Sequence, residues 1–520
     1  MGVIKAAFTV GIFTLFSRLI GYLRECIVAA CLGACVYSDA LLVALRIANT
    51  FRRIFAEGAF NASFLPRFSK VLNNDGKDAA NKVLSDIFSF LLIVLTILSI
   101  IVLIFFPSIL QVLVSGFDVL SEKFGLTVTL GRICFPYLIL ISISSLFSGV
   151  LNTINKFALP SALFSLLSVC TGGGLLVCYY MDVSKLVSVH VMSYCVLLSG
   201  FWQSIWLWRS IRSHEFNISF NFRCWTDKVK DIVKNMIPGI IGAGVWQLNM
   251  LVDTTISSYL PTGTITCMNL ADRLNQFPLG TLGIALSTAL LPLLSKCIST
   301  GNYEKARKEL ERGLLFAFFL TFFATTFIVA LSDFLVSVAF QRGQFDISHV
   351  QITSSALLGF SVGLPAYVLS KIYSSVYFAS GDTKTPVKFA IISVILNILF
   401  LIILVPFGKY FGLALCTSLS GLSNAILLVM FVNPKMKIQL SSTFKYKLFA
   451  QFAASAVTYI CLNFLSGHFW SHELGTSSVK WLLFVIFLLV SIVVFATVTS
   501  AFLIATHQKT WKLWKRDAWS

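Results

Sequence analysis

Apolar runs long enough to cross a bilayer recur from one end of this 520-residue chain to the other and leave no room for a sizeable soluble domain. A hydrocarbon core about 30 Å thick takes about 20 residues of helix at about 1.5 Å each. Fourteen runs have that reach, with approximate limits 6–30, 36–62, 84–110, 128–150, 158–180, 187–209, 234–258, 264–291, 311–335, 350–375, 386–406, 410–433, 446–466 and 479–505. Hydrophobic residues fill 57% of the positions and charged ones 12%, a balance that no soluble core of this size requires. The fold class that follows is an all-α polytopic membrane protein of fourteen helices. The first run holds two arginines and no small-residue cleavage site, so it reads as a retained span rather than a signal peptide.

Basic residues orient the spans. With the N-terminus in the cytoplasm, the tails and even-numbered loops hold 27 of the 40 Lys and Arg, whereas the odd-numbered loops hold five: Lys123, Lys185, Arg342, Lys409 and Lys480. This bias puts both termini inside. It also assigns most of the net charge of +18 to topology and anionic headgroups, so no nucleic-acid partner is implied.

The chain is internally duplicated. AFNASFLPRFSK (59–70) and ALSTALLPLLSK (285–296) share Ala, Leu, Pro, Ser and Lys at an offset of 226 residues, and Ser148, Val150 and Pro160 match Ser374, Val376 and Pro386 at the same offset. Six spans fall in each period, an even number, so the two copies share an orientation in the membrane. Two six-helix lobes around a central cleft are expected, 1–225 and 226–440, followed by an accessory pair of helices and a cytoplasmic tail in 441–520. Polar amphipathic segments at 73–85 and 300–312 read as lobe-linking helices on the cytoplasmic surface, the second with Glu304 and Lys308 spaced four apart.

Chemistry must then come from charges inside the spans. Arg18, Arg24, Arg46, Arg52, Arg53, Arg273 and Lys371 lie in apolar stretches against four acids there, Glu25, Glu57, Asp253 and Asp272. A guanidinium cannot shed its charge and costs about 2.5–3.5 kcal/mol at the bilayer centre on insertion scales, so these groups should face a wet cavity and meet an anion. Helical spacing puts Glu25 on the face of Arg18, with Arg24 rotated by about 120°. Arg53 and Glu57, four apart, are spaced to pair, which leaves Arg52 as the freer cation. The tract RRIFAEGAF (52–60) breaks at Gly58, and in the second half ADRLNQFPLGTLG (271–283) sets Asp272 beside Arg273. Asp39, near the outer end of span two, reads either as a solvated cap or as a gating residue. Asn249 with Asp253, and Asn397, read as satisfied polar groups or as parts of a cation site, although hard cations usually want several oxygens.

Other chemistries leave no trace. The twelve cysteines are scattered without paired CxxC sets, and there is no phosphate-binding glycine loop, HExxH or nucleophile elbow. No enzyme is expected and no organic cofactor.

The stretches FSRLIGYLRE (16–25), Ser38-Asp39-Ala40, ANTFRRIFAEGAFNASFLP (48–66), ADRLNQFPLGTLGIAL (271–286) and SGDTKTPVK (380–388) closely resemble the MurJ/MviN family of bacterial lipid II flippases, in the multidrug/oligosaccharidyl-lipid/polysaccharide exporter superfamily. The resemblance implies fourteen helices, two six-helix lobes forming a V-shaped cleft, and a terminal pair beside a hydrophobic groove for a lipid tail. It implies substrate contact for Arg18, Arg24, Arg52 and Arg273. Asp39 and Glu57 match acids implicated in gating or cavity structure, and Glu25, Arg53 and Asp272 join that set. The partners implied are lipid II and membrane lipids, at the bacterial inner membrane. Some members are thought to bind sodium with an acid on span seven and Asn plus Asp on span eleven. Asp253 and Asn397 match these, but position 401 is Leu, so sodium and the membrane potential both stand as candidate driving forces. The rival readings are a drug/cation antiporter of the same superfamily, which wants an acidic cavity, and a membrane enzyme acting on polyprenyl phosphates, which wants clustered acids or histidine.

Overall fold

The structure, a computed structural model, describes residues 3–53, 58–432, 442–469 and 477–517, and all regular structure among them is helical. The first repeat holds α1 (Val3–Leu32), α2 (Val36–Arg52), α3 (Gly58–Asn74), α4 (Gly76–Ile104), α5 (Phe106–Leu113), α6 (Glu122–Cys134), α7 (Tyr137–Thr153), α8 (Ala158–Leu163), α9 (Leu166–Tyr180) and α10 (Lys185–Ser213). The second holds α11 (Asp227–Ser258), α12 (Thr264–Pro278), α13 (Ile284–Ser299), α14 (Tyr303–Phe340), α15 (Ile347–Ser361), α16 (Leu364–Ala379) and α17 (Lys384–Met430), followed by α18 (Ser442–Phe469) and α19 (Ser477–Asp517). The duplication reappears in the helix ends. Thr153 and Ala379 close helices, and Ala158 and Lys384 open the next, each pair 226 residues apart.

Among the described residues eight segments are long and apolar enough to cross a membrane, taking α6 with α7 and α8 with α9 as single crossings, and the pair α15 and α16, bent by 41°, makes a ninth. Continuity fails where polar residues and breaks interrupt the apolar pattern. The expected span 36–62 is described as α2 and α3, with residues 54–57 between them outside the described residues. The expected span 264–291 is α12 and α13 joined through a π-helical turn, Leu279–Gly283, just after Pro278. Proline removes a backbone donor, and the wider π-turn absorbs the resulting mismatch. Helix α17 leaves helical geometry at Lys409 (φ 40°), between the expected spans 386–406 and 410–433.

The amphipathic segments are not separate surface helices. Residues 76–85 are the first turns of α4, and residues 303–312 are the first turns of the 38-residue α14. At about 1.5 Å per residue α14 is about 57 Å long, well beyond a 30 Å core, so its polar start protrudes from the bilayer as the end of a membrane helix. Its inner face has a protein partner: Ala306, Leu310 and Leu314 pack with Leu290 and Leu294 of α13. The spacing Glu304 to Lys308 does form an ion pair, at 2.7 Å.

By contact the chain forms two compact units, Met1–Thr266 with Arg342–Phe345, and Cys267–Gln341 with Asp346–Ser520. This division lies at 266, whereas the sequence repeat divides at 225, because α11 packs among the helices of the first repeat. Thr255 Oγ1 donates to Leu113 O at 2.7 Å, and Gly116 N donates to Ser258 Oγ at 3.0 Å. In lipid, helices associate through close packing rather than exclusion from water. The core of this unit accordingly centres on Phe64, Phe68, Phe106, Phe135 and Leu146, with Gly131 placed where any Cβ would collide with the Phe106 ring.

The connector between the repeats is strapped to α4. Backbone N–H groups of Asn217, Ser219 and Asn221 donate to the side chains of Asn81, Ser85 and Ser89, at 3.3, 3.1 and 2.9 Å. Two residues of extended chain span about 6.6 Å and one helical turn of four residues about 6 Å, so the two registers match. Asp86 completes the strap by accepting from Asn221 Nδ2 and Thr226 Oγ1.

Candidate functional site: intramembrane charges of the two units

On α1 the exposed apolar residues Ile12, Leu15, Phe16, Leu19 and Leu23 form one stripe. Arg18 is also exposed, but it lies about 120° from the centre of that stripe, on the side of Thr14, and so points away from the lipid-facing surface. Among the described residues no carboxylate pairs with it. Glu25, expected to compensate Arg18, pairs instead with Arg24. The correction has a simple cause: the wheel places Cβ atoms, and the long guanidinium arm of Arg24 folds across to its chain neighbour. The Glu25 side chain is only 3% exposed, so this pair is structurally demanding.

Asp39 is 1% exposed, which removes the solvated-cap reading. Its carboxylate accepts from Gly263 N at 2.8 Å, Thr266 N at 3.0 Å, Thr266 Oγ1 at 2.7 Å and Lys123 Nζ at 2.9 Å. Gly263 and Thr266 flank the start of α12, where the first amides lack intrahelical partners and the helix dipole favours negative charge. Asp39 thus caps α12 from α2, with Ser38 adding a hydroxyl contact to Thr266 Oγ1 at 3.0 Å. Gly263 has φ +93°, and a Cβ there would meet Ala34 O at 2.6 Å, so only glycine fits. Lys123 also lies over the Phe117 ring, 4.2 Å from its centroid. From the sequence Lys123 stands out only as an outer-loop cation, and Gly263 and Thr266 do not stand out at all. The one local signal is the turn Pro261-Thr262-Gly263 ahead of a threonine-rich helix start.

Farther along α2 the arginines divide by face. Arg46 Nη1 donates to Thr254 Oγ1 at 2.5 Å, and Arg53 Nη1 reaches Met250 Sδ at 3.9 Å, so both turn toward α11. Arg52 is rotated away and its Nε donates to Asn49 Oδ1 at 3.0 Å. The expected partner of Arg53, Glu57, lies outside the described residues.

In the second unit Arg273 and Phe277, four apart on α12, are both exposed, while Asp272 is held by Gln276 Nε2. Asp253 lies on α11 in the first unit and Asn397 on α17 in the second. Asn397 is fully buried, and one turn on Leu401 is 1% exposed and offers no oxygen. Among the described residues no three His, Cys, Asp or Glu gather into a metal-binding group. The donors on α17 therefore do not fit a hard cation, which wants several oxygens.

Long apolar helices carrying guanidinium groups away from their lipid-facing stripes define a class, the polytopic membrane transporters. Within it, the profile of the family described as "Lipid II flippase MurJ" matches residues 28–506, and the chain belongs to that family. It is 33% identical to a probable lipid II flippase MurJ of Rhizobium tropici, covering 92% of this chain and 90% of that protein. It is 33% identical to the lipid II flippase MurJ of Burkholderia cenocepacia, covering 82% and 83%. Among solved structures it is similar to a lipid II flippase MurJ in an inward closed conformation, with TM-score 0.78 and 23% identity over 95% of this chain and 98% of that one. An inward-facing multidrug resistance MATE transporter of the MOP superfamily shares the fold, with TM-score 0.68 and 15% identity over 82% and 95%.

Proposed function

We propose that this protein moves lipid II, the polyprenyl-pyrophosphate-linked disaccharide-pentapeptide, from the cytoplasmic to the outer leaflet of the bacterial inner membrane by alternating access. The observation that carries the proposal is the family match across residues 28–506 in a chain whose spans hold more cations than acids. In this reading the chain has fourteen spans in two six-helix lobes plus a C-terminal pair, with both termini cytoplasmic. Arg18, Arg24, Arg52 and Arg273 bind the pyrophosphate and other headgroup anions, since the planar guanidinium fork matches phosphate oxygens bidentately. Asp39, Glu25, Arg53, Glu57 and Asp272 shape or gate the cavity. The polyprenyl tail stays in lipid while the headgroup crosses, and no covalent bond is made or broken.

No step is routed through sodium, given the apolar Leu401. The membrane potential is the driving force this charge pattern supports: an anionic headgroup moving outward gains about 2.3 kcal/mol per charge for each 100 mV, inside negative. A drug/cation antiporter shares the fold, but cation export calls for an acidic cavity. A membrane enzyme on polyprenyl phosphates would need clustered acids or histidines. The deciding experiment reconstitutes the purified protein in liposomes and follows labelled lipid II between leaflets. Translocation above protein-free vesicles supports the reading, and none at any imposed potential rejects it.

A further inference from the structure

Helix α16 is buried on nearly all sides. Lys371 and Phe378 are exposed, with Tyr367 and Ser374 half-buried between and beside them, so positions 367, 371, 374 and 378 form one open stripe. Lys371 is seven residues from the start of the helix and eight from its end, about 10–12 Å from either.

That stripe does not have the character of a lipid-facing surface. Where α4 and α17 are exposed mid-helix their residues are apolar: Ile97, Ile100 and Ile101 on one, Ile395, Leu399 and Ile402 on the other. The repeat sharpens the contrast. Counting back 226 residues, Lys371, Ser374 and Phe378 correspond to Ser145, Ser148 and Asn152 on α7, which are likewise half-buried and are polar throughout. Positions 371 and 374 are polar in both copies, and the second copy carries an ammonium where the first has a hydroxyl, while Tyr367 corresponds to the buried Ile141 and Phe378 to Asn152. Polar groups at membrane depth at the same two positions of both copies point to a face that meets water.

The rotation of α16 is fixed from behind. Ser375 Oγ donates to Lys371 O at 3.2 Å, Ser287 Oγ on α13 donates to the same carbonyl at 3.3 Å, and the two serine hydroxyls lie 2.6 Å apart. Ser374 Oγ donates to Ser370 O at 2.7 Å.

We propose that Lys371 is a substrate-anchoring residue of the second unit, an ammonium that takes an oxyanion of the lipid-linked headgroup, either phosphate or peptide carboxylate. This deepens the flippase reading and rests on it. The test uses the full chain in detergent and in liposomes, comparing wild type with Lys371→Met and Lys371→Arg. Two probes are titrated from low to high salt: lipid II, and undecaprenyl pyrophosphate, which lacks the peptide. Lys371→Met should fold and elute as wild type, bind about tenfold more weakly in low salt, and converge with wild type in high salt as screening removes the ammonium's contribution. Lys371→Arg should keep most of the affinity. A loss for both probes identifies the phosphate, and a loss for lipid II alone identifies a peptide carboxylate. Equal affinity and equal salt dependence in wild type and Lys371→Met overturn the proposal while wild-type flipping keeps the flippase reading intact, whereas wild type that neither binds nor moves lipid II overturns both. Should Lys371→Met fail to fold, Lys371→Gln replaces it under the same criteria.

Discussion

Replacing Asp39 with Asn should release the start of α12. The carboxylate accepts four hydrogen bonds, from two backbone amides, one hydroxyl and one ammonium. Asparagine keeps one oxygen, enough for Thr266, but turns an amide donor toward Gly263 N or Lys123 Nζ. Two bonds to a charged acceptor are lost at about 1.5–3 kcal/mol each, so the local cost is about 3–6 kcal/mol, overlapping the range for breaking a buried ion pair. At about 1.4 kcal/mol per decade, the Gly263 and Thr266 amides should exchange hydrogen at least a hundredfold faster in the variant. Hydrogen exchange on the purified protein, read at peptides covering 260–268, measures this directly. Combining the change with Lys123→Met should cost less than the sum of the two, since the second substitution removes the stranded ammonium. Unchanged exchange at 260–268 in a variant of normal yield would show that Asp39 does not cap α12.

The two arginines of α1 should separate in their effects. Arg18→Ala should abolish lipid II movement at normal folded yield, whereas Arg24→Ala should also lower the yield, because it removes an ion pair from the buried Glu25 carboxylate; equal yields by fluorescence-detected size exclusion would refute that assignment. Tag-accessibility labelling should find Lys185 outside and the C-terminal tail inside, and labelling of both from one side would reverse the topology. At the start of α17 the Thr385 hydroxyl, together with backbone amides of Thr385 and Lys384, holds the Asp382 carboxyl below the ordinary aspartate range. A lowered folded pKa stabilises above the unfolded value and is lost as pH falls through the folded one. Asp382→Ala should therefore speed exchange at 384–385 at neutral pH by a factor set by about 1 kcal/mol, and the difference from wild type should vanish in strong acid.

Local pattern was legible and long-range pairing was not. The apolar runs, the offset of 226 and the division of α2 into an Arg46/Arg53 face and an Arg52 face all follow from spacing along one helix. For Asp39 the sequence leaves a solvated cap and a gating role equally open, because its partners lie up to 227 residues away, at the start of α12, where no local pattern points back to it. Glu25 was matched to the wrong arginine because helical spacing locates Cβ atoms and not the ends of long side chains. The start of α14 read as a surface helix because its amphipathic face has the same periodicity whether headgroups or Leu290 cover it.

The place of α11 bears on how the chain is made. By sequence it opens the second repeat, yet Arg46 and Arg53 of α2 reach Thr254 and Met250 on it. A ribosome that has released only the first repeat has therefore inserted two guanidinium groups whose partners on α11 are still to be synthesised. A guanidinium at membrane depth costs about 2.5–3.5 kcal/mol on insertion scales, so the contacts that α11 supplies bear on how the first half is accommodated in the membrane. A gene cut at codon 225 encodes a half that lacks its closing helix, and one cut at codon 266 encodes a half that carries it.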